Sequence, residues 1–307
     1  MTSSQPQRAI ASPLAVQGAL VLVQLLFGAN YVIAKVAFRE VSPLGLVAMR
    51  AWGTAAIFAL ILALRPKPAV PQPKLTPREY GQLFVFSLLG ISINQTAFLE
   101  GLARSTATNA AIILVMIPVV TLAFAVLLGR EKPTVAGVTG IALGLAGALL
   151  IILPRGGVDL GADAFLGNML LLVCASSYAL FLVLARDILA RRDALTVVTV
   201  MFVMAALTLS PLGHNGVVEA IHHGISPAGW ASIAFVTFGA TAAPYLVNSW
   251  ALGRAKSSVV AVYVLLQPIV AGVMGRLFLG ERLGPTAALA AVLIVAGMGT
   301  SVWSRGR

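Results

Sequence analysis

The chain has 307 residues, of which 59% are hydrophobic and 10% charged, against about half and about a quarter in an ordinary soluble domain. With a mean hydropathy of +0.96, this composition excludes a soluble enzyme, a DNA-binding domain and a disordered chain, and makes a lipid bilayer the natural partner. The net charge of +11, from 21 Lys and Arg against 10 Asp and Glu, does not call for nucleic acid. The basic residues sit mostly in short gaps between apolar runs, which is the topogenic bias of membrane proteins.

The first 13 residues are polar and carry only Arg8. The run after them is long enough to span and lacks a small-residue cleavage site at signal-peptide distance, so it reads as a retained first span. A span needs about 20 mostly apolar residues. Ten stretches qualify: 14–36, 44–64, 80–100, 106–128, 134–153, 164–185, 194–212, 227–251, 257–279 and 285–303. Turn and charge signals part them, among them Ser42-Pro43, the Pro-rich stretch from Arg65 to Arg78, Arg130-Glu131-Lys132-Pro133, Pro154-Arg155-Gly156-Gly157 and Arg191-Arg192-Asp193. Unbroken apolar runs exclude an outer-membrane barrel, whose strands alternate over about ten residues. The fold class is therefore an all-α polytopic membrane protein with ten transmembrane helices. Cys174 lies within an apolar run and reads as a packing residue. His214, His222 and His223 fall between spans 7 and 8 and read as a solvated loop, with weak metal binding as the other reading. No metal or other cofactor is expected. If the N-terminus is cytoplasmic, 14 of the 21 Lys and Arg residues fall on its side and 7 on the other. That split favours both termini inside.

Sliding the chain on itself by 150 residues aligns ten identities between 102 and 147 without a gap, including Arg104/Arg254, Pro118/Pro268, Glu131/Glu281 and Gly147/Gly297. Two halves, 14–153 and 164–303, would hold five spans each. Because five is odd, consecutive copies must cross the membrane in opposite senses. That is an inverted-topology repeat, the architecture by which secondary transporters alternate access around a midplane site. The other reading is an ancient duplication kept only for packing.

The residues Phe27-Gly28-Ala29-Asn30-Tyr31-Val32-Ile33-Ala34-Lys35 resemble the first-span signature of EamA-type proteins in the drug/metabolite transporter superfamily. Arg50 in span 2 fits as well. So do Gly101-Leu102-Ala103, Ile117-Pro118-Val119, Glu131 and the stretch Gly144 to Gly147. They recur as Ala251-Leu252-Gly253, Gln267-Pro268-Ile269 and Gly280-Glu281-Arg282. One departure is Arg130, which separates a Gly and a Glu usually adjacent in the family. The resemblance implies a ten-span basket with a cavity formed mainly by spans 1, 3, 4, 6, 8 and 9. It also implies export of small metabolites, amino acids frequently among them.

Pro118 and Pro268 lie near the middle of spans 4 and 9. Each removes an intrahelical hydrogen bond and frees the carbonyl four residues earlier, at Leu114 and Val264; Pro244 in span 8 does the same to Ala240. Freed carbonyls in a bilayer need a partner, a water or a ligand, and paired interruptions point to a binding site. Kinks that serve packing alone are the alternative.

Polar residues within spans are costly and face protein or water. Gln24, Gly28, Tyr31 and Lys35 share one face of span 1, and Thr237, Thr241, Pro244 and Asn248 one face of span 8, with Tyr245 beside them. Asn94 and Gln95 in span 3, Ser176, Ser177 and Tyr178 in span 6, and Tyr263 and Gln267 in span 9 complete the set. Gln95, Tyr178, Tyr245 and Gln267 fall near the midplane. The residues Gln24, Tyr31, Asn94, Gln95, Tyr178, Thr241, Tyr245, Asn248, Tyr263 and Gln267 are thus candidates to line a neutral, aromatic, amide-rich pocket. Amides satisfy both ammonium and carboxylate, and rings cover an apolar tail, so the pocket suits an amphipathic or zwitterionic small molecule. Each residue taken alone also fits an interhelical hydrogen bond.

Lys35, Arg50, Glu100 and Arg104 lie toward the outer ends of their spans, where Glu100 pairing with Lys35 or Arg50 would make an outer gate; the alternative is snorkelling to the interface. Glu131 and Glu281 are expected to bond helix ends or Arg130 and Arg282. None of the ten acids lies near a span centre, which leaves Glu100 as the candidate titrating group for proton coupling. An intramembrane enzyme would need a nucleophile–base pair, a metal set or paired acids, and the spans offer none. A channel would call for rings of like charge. The reading is therefore a secondary transporter, not an enzyme, exporting amino acids or related compounds across the inner membrane, with export or import of another metabolite or drug class as the alternative and a channel or receptor as the reading of a different class. Glycines in spans 5 and 10 allow close packing within the monomer or across a homodimer.

Overall fold

The computed structural model describes residues 12–66, 73–105, 110, 113–152, 162–270, 273 and 286–303, and among these all regular structure is helical. In chain order the helices are α1 (Pro13–Ala37), α2 (Pro43–Leu64), α3 (Pro77–Arg104), α4 (Ile113–Leu127), α5 (Val135–Ile152), α6 (Ala162–Arg191), α7 (Ala194–His223), α8 (Pro227–Leu252), α9 (Ser257–Val270) and α10 (Thr286–Trp303). Six of them, α1, α2, α3, α6, α7 and α8, carry stretches long and apolar enough to cross a membrane; α4, α5, α9 and α10 contain shorter apolar helices.

The helix starts follow from local chemistry. Ser12, Ser42, Thr76 and Ser226 each stand before a proline in the first turn, and each side chain accepts a backbone N–H two or three residues into its helix. The hydroxyl satisfies an orphan donor and the ring presets φ. Thr76 and Glu79 form a full capping box, and Asp193 caps α7 through Thr196 N.

The ends of the bundle are sorted. Arg65 pairs with Asp193 at 2.9 Å, Arg192 with Glu79 at 2.7 Å, and Arg130 with Asp187. Arg186 Nε donates to Ala255 O at 2.8 Å. These contacts gather the gaps after α2, α4, α6 and α8 at one end. At the other, Ser226 donates its N–H and hydroxyl to Glu40, at 2.7 and 2.5 Å, and Ser105 donates to Asn168 at 2.6 Å. Among the described residues, the gaps after α2, α4, α6 and α8 thus fall at one end and those after α1, α3 and α7 at the other.

The principal packing partners are α5 with α10, α2 with α7, α3 with α6 and α1 with α8, while α4 packs against α6 and also against α9. The glycine faces of α5 and α10 meet within the chain. A Cβ on Gly140 would stand 2.5 Å from Gly297 O, and one on Gly147 2.6 Å from Ala290 O. Ser301 Oγ donates to Gly137 O across the same seam at 3.1 Å.

One expectation is corrected here. His214, His222 and His223 do not occupy a loop; α7 continues through Pro211 to His223 and carries all three, exposed. Proline would be expected to end the helix, but tertiary packing holds it. Gly213 and Gly216 let α7 press against α2, with a Cβ on Gly213 only 2.7 Å from Leu44 O. The helix stops instead at Gly224, whose φ of +80° suits glycine.

Candidate functional site

Neither α3 nor α8 is a continuous α-helix. Each holds a π segment, at Leu88–Ile93 and Phe238–Ala242, before α-helix resumes at Asn94 and at Ala243. Such bulges cluster at functional sites because they leave backbone groups unsatisfied and re-aim the residues that follow. Gln95 and Tyr245 follow directly and meet: Gln95 Nε2 donates to the Tyr245 phenol. The phenol donates in turn to Gly90 O at 2.8 Å, inside the first π segment. Asn94 Nδ2 lies 3.2 Å from both Cys174 O and Cys174 Sγ on α6. Asn248, one turn after Tyr245, donates to Tyr178 Oη at 3.1 Å.

Gln95, Tyr178, Tyr245, Asn94 and Asn248 are all buried and form one linked cluster among α3, α6 and α8. Rings close around it. Phe202 of α7 packs edge-on to Tyr245 at 5.1 Å, Phe27 of α1 at 6.3 Å, and Phe181 lies 6.0 Å from Tyr178. A second amide pair stands nearby on α1 and α9, where Gln267 Nε2 donates to Gln24 Oε1 at 2.7 Å. Phe27, one turn after Gln24, joins the two groups.

Other candidates fall differently. Thr241 is buried, but its hydroxyl donates to Val236 O of its own helix at 2.6 Å. Tyr263 is buried in a 3-10 turn, Tyr263–Leu266. The side chains of Tyr31 and Lys35 lie outside the described residues, as does Glu281. Pro118 follows a break at Met116, and Pro268 follows the 3-10 turn. The Val264 carbonyl, expected to be freed by Pro268, accepts the Gln267 N–H through that turn. Pro244 sits in the first turn after the second π segment.

Two of the outer-gate candidates have the following surroundings. Glu100 pairs with Arg104, one turn along α3. Arg50 is 2% exposed, enclosed by protein and among the largest fully buried side chains. Its guanidinium lies within electrostatic reach of Tyr245 and Cys174. Glu131 does bond a helix end: it accepts Ser257 Oγ at 2.8 Å, Ser258 N at 3.3 Å and the Ser258 hydroxyl, capping α9. Phe27, Phe202, Cys174 and Gly90 were not foreseen as members of the cluster. Phe27 lay within the quoted signature, whereas nothing in the sequence marked Phe202. Among the described residues no three His, Cys, Asp or Glu side chains come together as a metal site.

A family model described as the EamA-like transporter family matches residues 16–153 and again 165–303. The chain belongs to the EamA-like transporter family. Its similarity to other members is distant but extends over nearly its full length. A "Probable amino-acid metabolite efflux pump" of Escherichia coli (strain K12) is 29% identical, over 92% of this chain and 93% of its own. An "Uncharacterized transporter" of Archaeoglobus fulgidus is 23% identical over 91% and 94%. The "WAT1-related protein At4g30420" of Arabidopsis thaliana is 22% identical over 94% and 85%. A solved crystal structure shares the fold, with a TM-score of 0.71 at 20% identity over 95% of this chain and 99% of that one. Family and apolar helices together make this EamA-like protein an integral membrane transporter.

Proposed function

We propose that the chain is a ten-span, alternating-access carrier that exports an amino acid or a related amphipathic metabolite across a bacterial inner membrane, with both termini cytoplasmic. The observation that carries this reading is the Gln95–Tyr245 contact. It joins two helices, each interrupted by a π segment, at positions 150 apart, the same offset that aligns the two halves of the sequence. Two five-helix halves, 14–153 and 164–303, crossing in opposite senses would bring equivalent helices together, and the packing of α2 with α7, α5 with α10 and, in part, α4 with α9, beside α1 with α8 and α3 with α6, supports that reading. The site they enclose is neutral apart from Arg50 and is rich in amides and rings, which suits a zwitterion with an apolar tail.

The orientation rests on the basic gaps. Arg65, Arg130, Arg186 and Arg192 crowd one end, which the positive-inside bias assigns to the cytoplasm. The similarity to a protein named as an amino-acid metabolite efflux pump supports the substrate class.

Counterflow in proteoliposomes tests the reading. Vesicles preloaded with unlabelled amino acids should accumulate labelled threonine or phenylalanine transiently and saturably. Flux that does not saturate and shows no dependence on preload would identify a channel instead.

A further inference from the structure

Arg50 is the one buried charged side chain among the described residues. A guanidinium held in the membrane interior is expensive and normally pairs with a carboxylate or with backbone carbonyls. The described carboxylates nearest the membrane interior and its ends are engaged elsewhere: Glu100 with Arg104, Asp187 with Arg130, Asp193 with Arg65, Glu79 with Arg192, Glu40 with Ser226 and Glu131 with Ser257. Arg50 Nη2 is buried and has no hydrogen-bond partner. One other orphan belongs to the same cluster. Asn248 spends one end of its amide on Tyr178 Oη, and its Oδ1 is buried without a partner. Tyr245 lies one turn from Asn248 on α8, and Arg50 is within electrostatic reach of it. An orphaned cationic donor and an orphaned neutral acceptor thus share one enclosed polar cluster.

We propose that Arg50 is the carboxylate-binding residue of the site and that Asn248 Oδ1 takes the ammonium group, so that the ligand is an α-amino acid bound at both charged ends. The inference rests on the carrier reading above and narrows it. A planar guanidinium offers paired N–H donors matched to a carboxylate, and a carbonyl oxygen accepts from an ammonium. Bound substrate would pair the buried guanidinium with a carboxylate, while the net charge of the site stays the same because the zwitterion itself is neutral.

The test compares phenylalanine with phenethylamine, which lacks the carboxylate, and with phenylpropionate, which lacks the ammonium. In wild-type proteoliposomes phenylalanine should drive counterflow and the two truncated compounds should not. Phenylalanine, but not phenethylamine, should raise the melting temperature of the wild-type protein in detergent. Arg50→Gln should lower phenylalanine flux about ten- to a hundredfold, and Arg50→Lys should recover part of it. Arg50→Gln should melt no lower than wild type, since it removes an unpaired buried charge. Unchanged phenylalanine flux in Arg50→Gln would overturn this inference and leave the carrier reading standing. Wild-type counterflow of phenethylamine as strong as that of phenylalanine would likewise overturn this inference, whereas flux that neither saturates nor depends on preload would overturn the carrier reading. Should Arg50→Gln fail to fold, that instability itself counts against the ligand role, and the wild-type melting series still decides whether the carboxylate is recognised.

Discussion

Gln95 and Tyr245 stand 150 positions apart in the chain and are joined side chain to side chain, with the phenol donating its own O–H to Gly90 O. Tyr245→Phe keeps the edge contacts with Phe27 and Phe202 but strands both the Gln95 amide and the Gly90 carbonyl. Stranded buried groups cost about 1–3 kcal/mol each. The variant should melt measurably lower in detergent and transport with raised KM, read in the counterflow assay. Phenylalanine flux indistinguishable from wild type would show that the phenol serves packing alone.

The seam between α5 and α10 gives a sharper stability test. At Gly297 a Cβ would stand 2.5 Å from Gly140 O and 2.6 Å from Gly144 N, which are backbone atoms with nowhere to go. At Gly299, one turn-half away, nothing lies within 4 Å. Gly297→Ala should therefore destabilise by about 1–3 kcal/mol through overpacking. Gly299→Ala should be neutral or slightly stabilising through helix propensity. Thermal melts of the pair check this, and equal melting temperatures would refute the close approach.

Glu131 fastens the loop before α5 to the start of α9. Its carboxylate meets two hydroxyls and a backbone N–H at a helix N-terminus, where negative charge is favoured. Glu131→Ala should cost about 1–2 kcal/mol, and adding Ser257→Ala to it should cost little more, because both act on one contact. A double-mutant melt series measures the coupling.

Glu100 was the sequence's candidate for proton coupling, and the structure binds it to Arg104. Counterflow of phenylalanine is therefore expected to be indifferent to an imposed pH gradient, in wild type and in Glu100→Gln alike. A gradient response lost in Glu100→Gln would restore the coupling role.

Sequence patterns made the helical class, the helix starts and the polar residues of the cluster legible, because apolar runs, Ser-Pro caps and buried amides each leave a local mark. What they could not carry was depth and pairing. Arg50 lies seven residues after Pro43, about 10 Å along the helix axis, and by that count seemed near an interface. Neighbouring helices bury it all the same. His214 lies just past the apolar run 194–212, where span counting puts a loop, yet Gly213 and Gly216 let α7 close on α2 and the helix continues. The π segments carry no composition of their own; Gly90 and Pro244 mark them only in hindsight. That Gln95 and Tyr245 should touch, rather than merely share a level, depended on how α3 and α8 cross.

The α5–α10 seam has a mechanical meaning. Where backbone lies against backbone, neither helix can turn about its axis or slip along its neighbour without collision. Those two helices would serve as a fixed axle, and any opening of the bundle would be a rocking of the remaining helices about it rather than a shuffling of the whole.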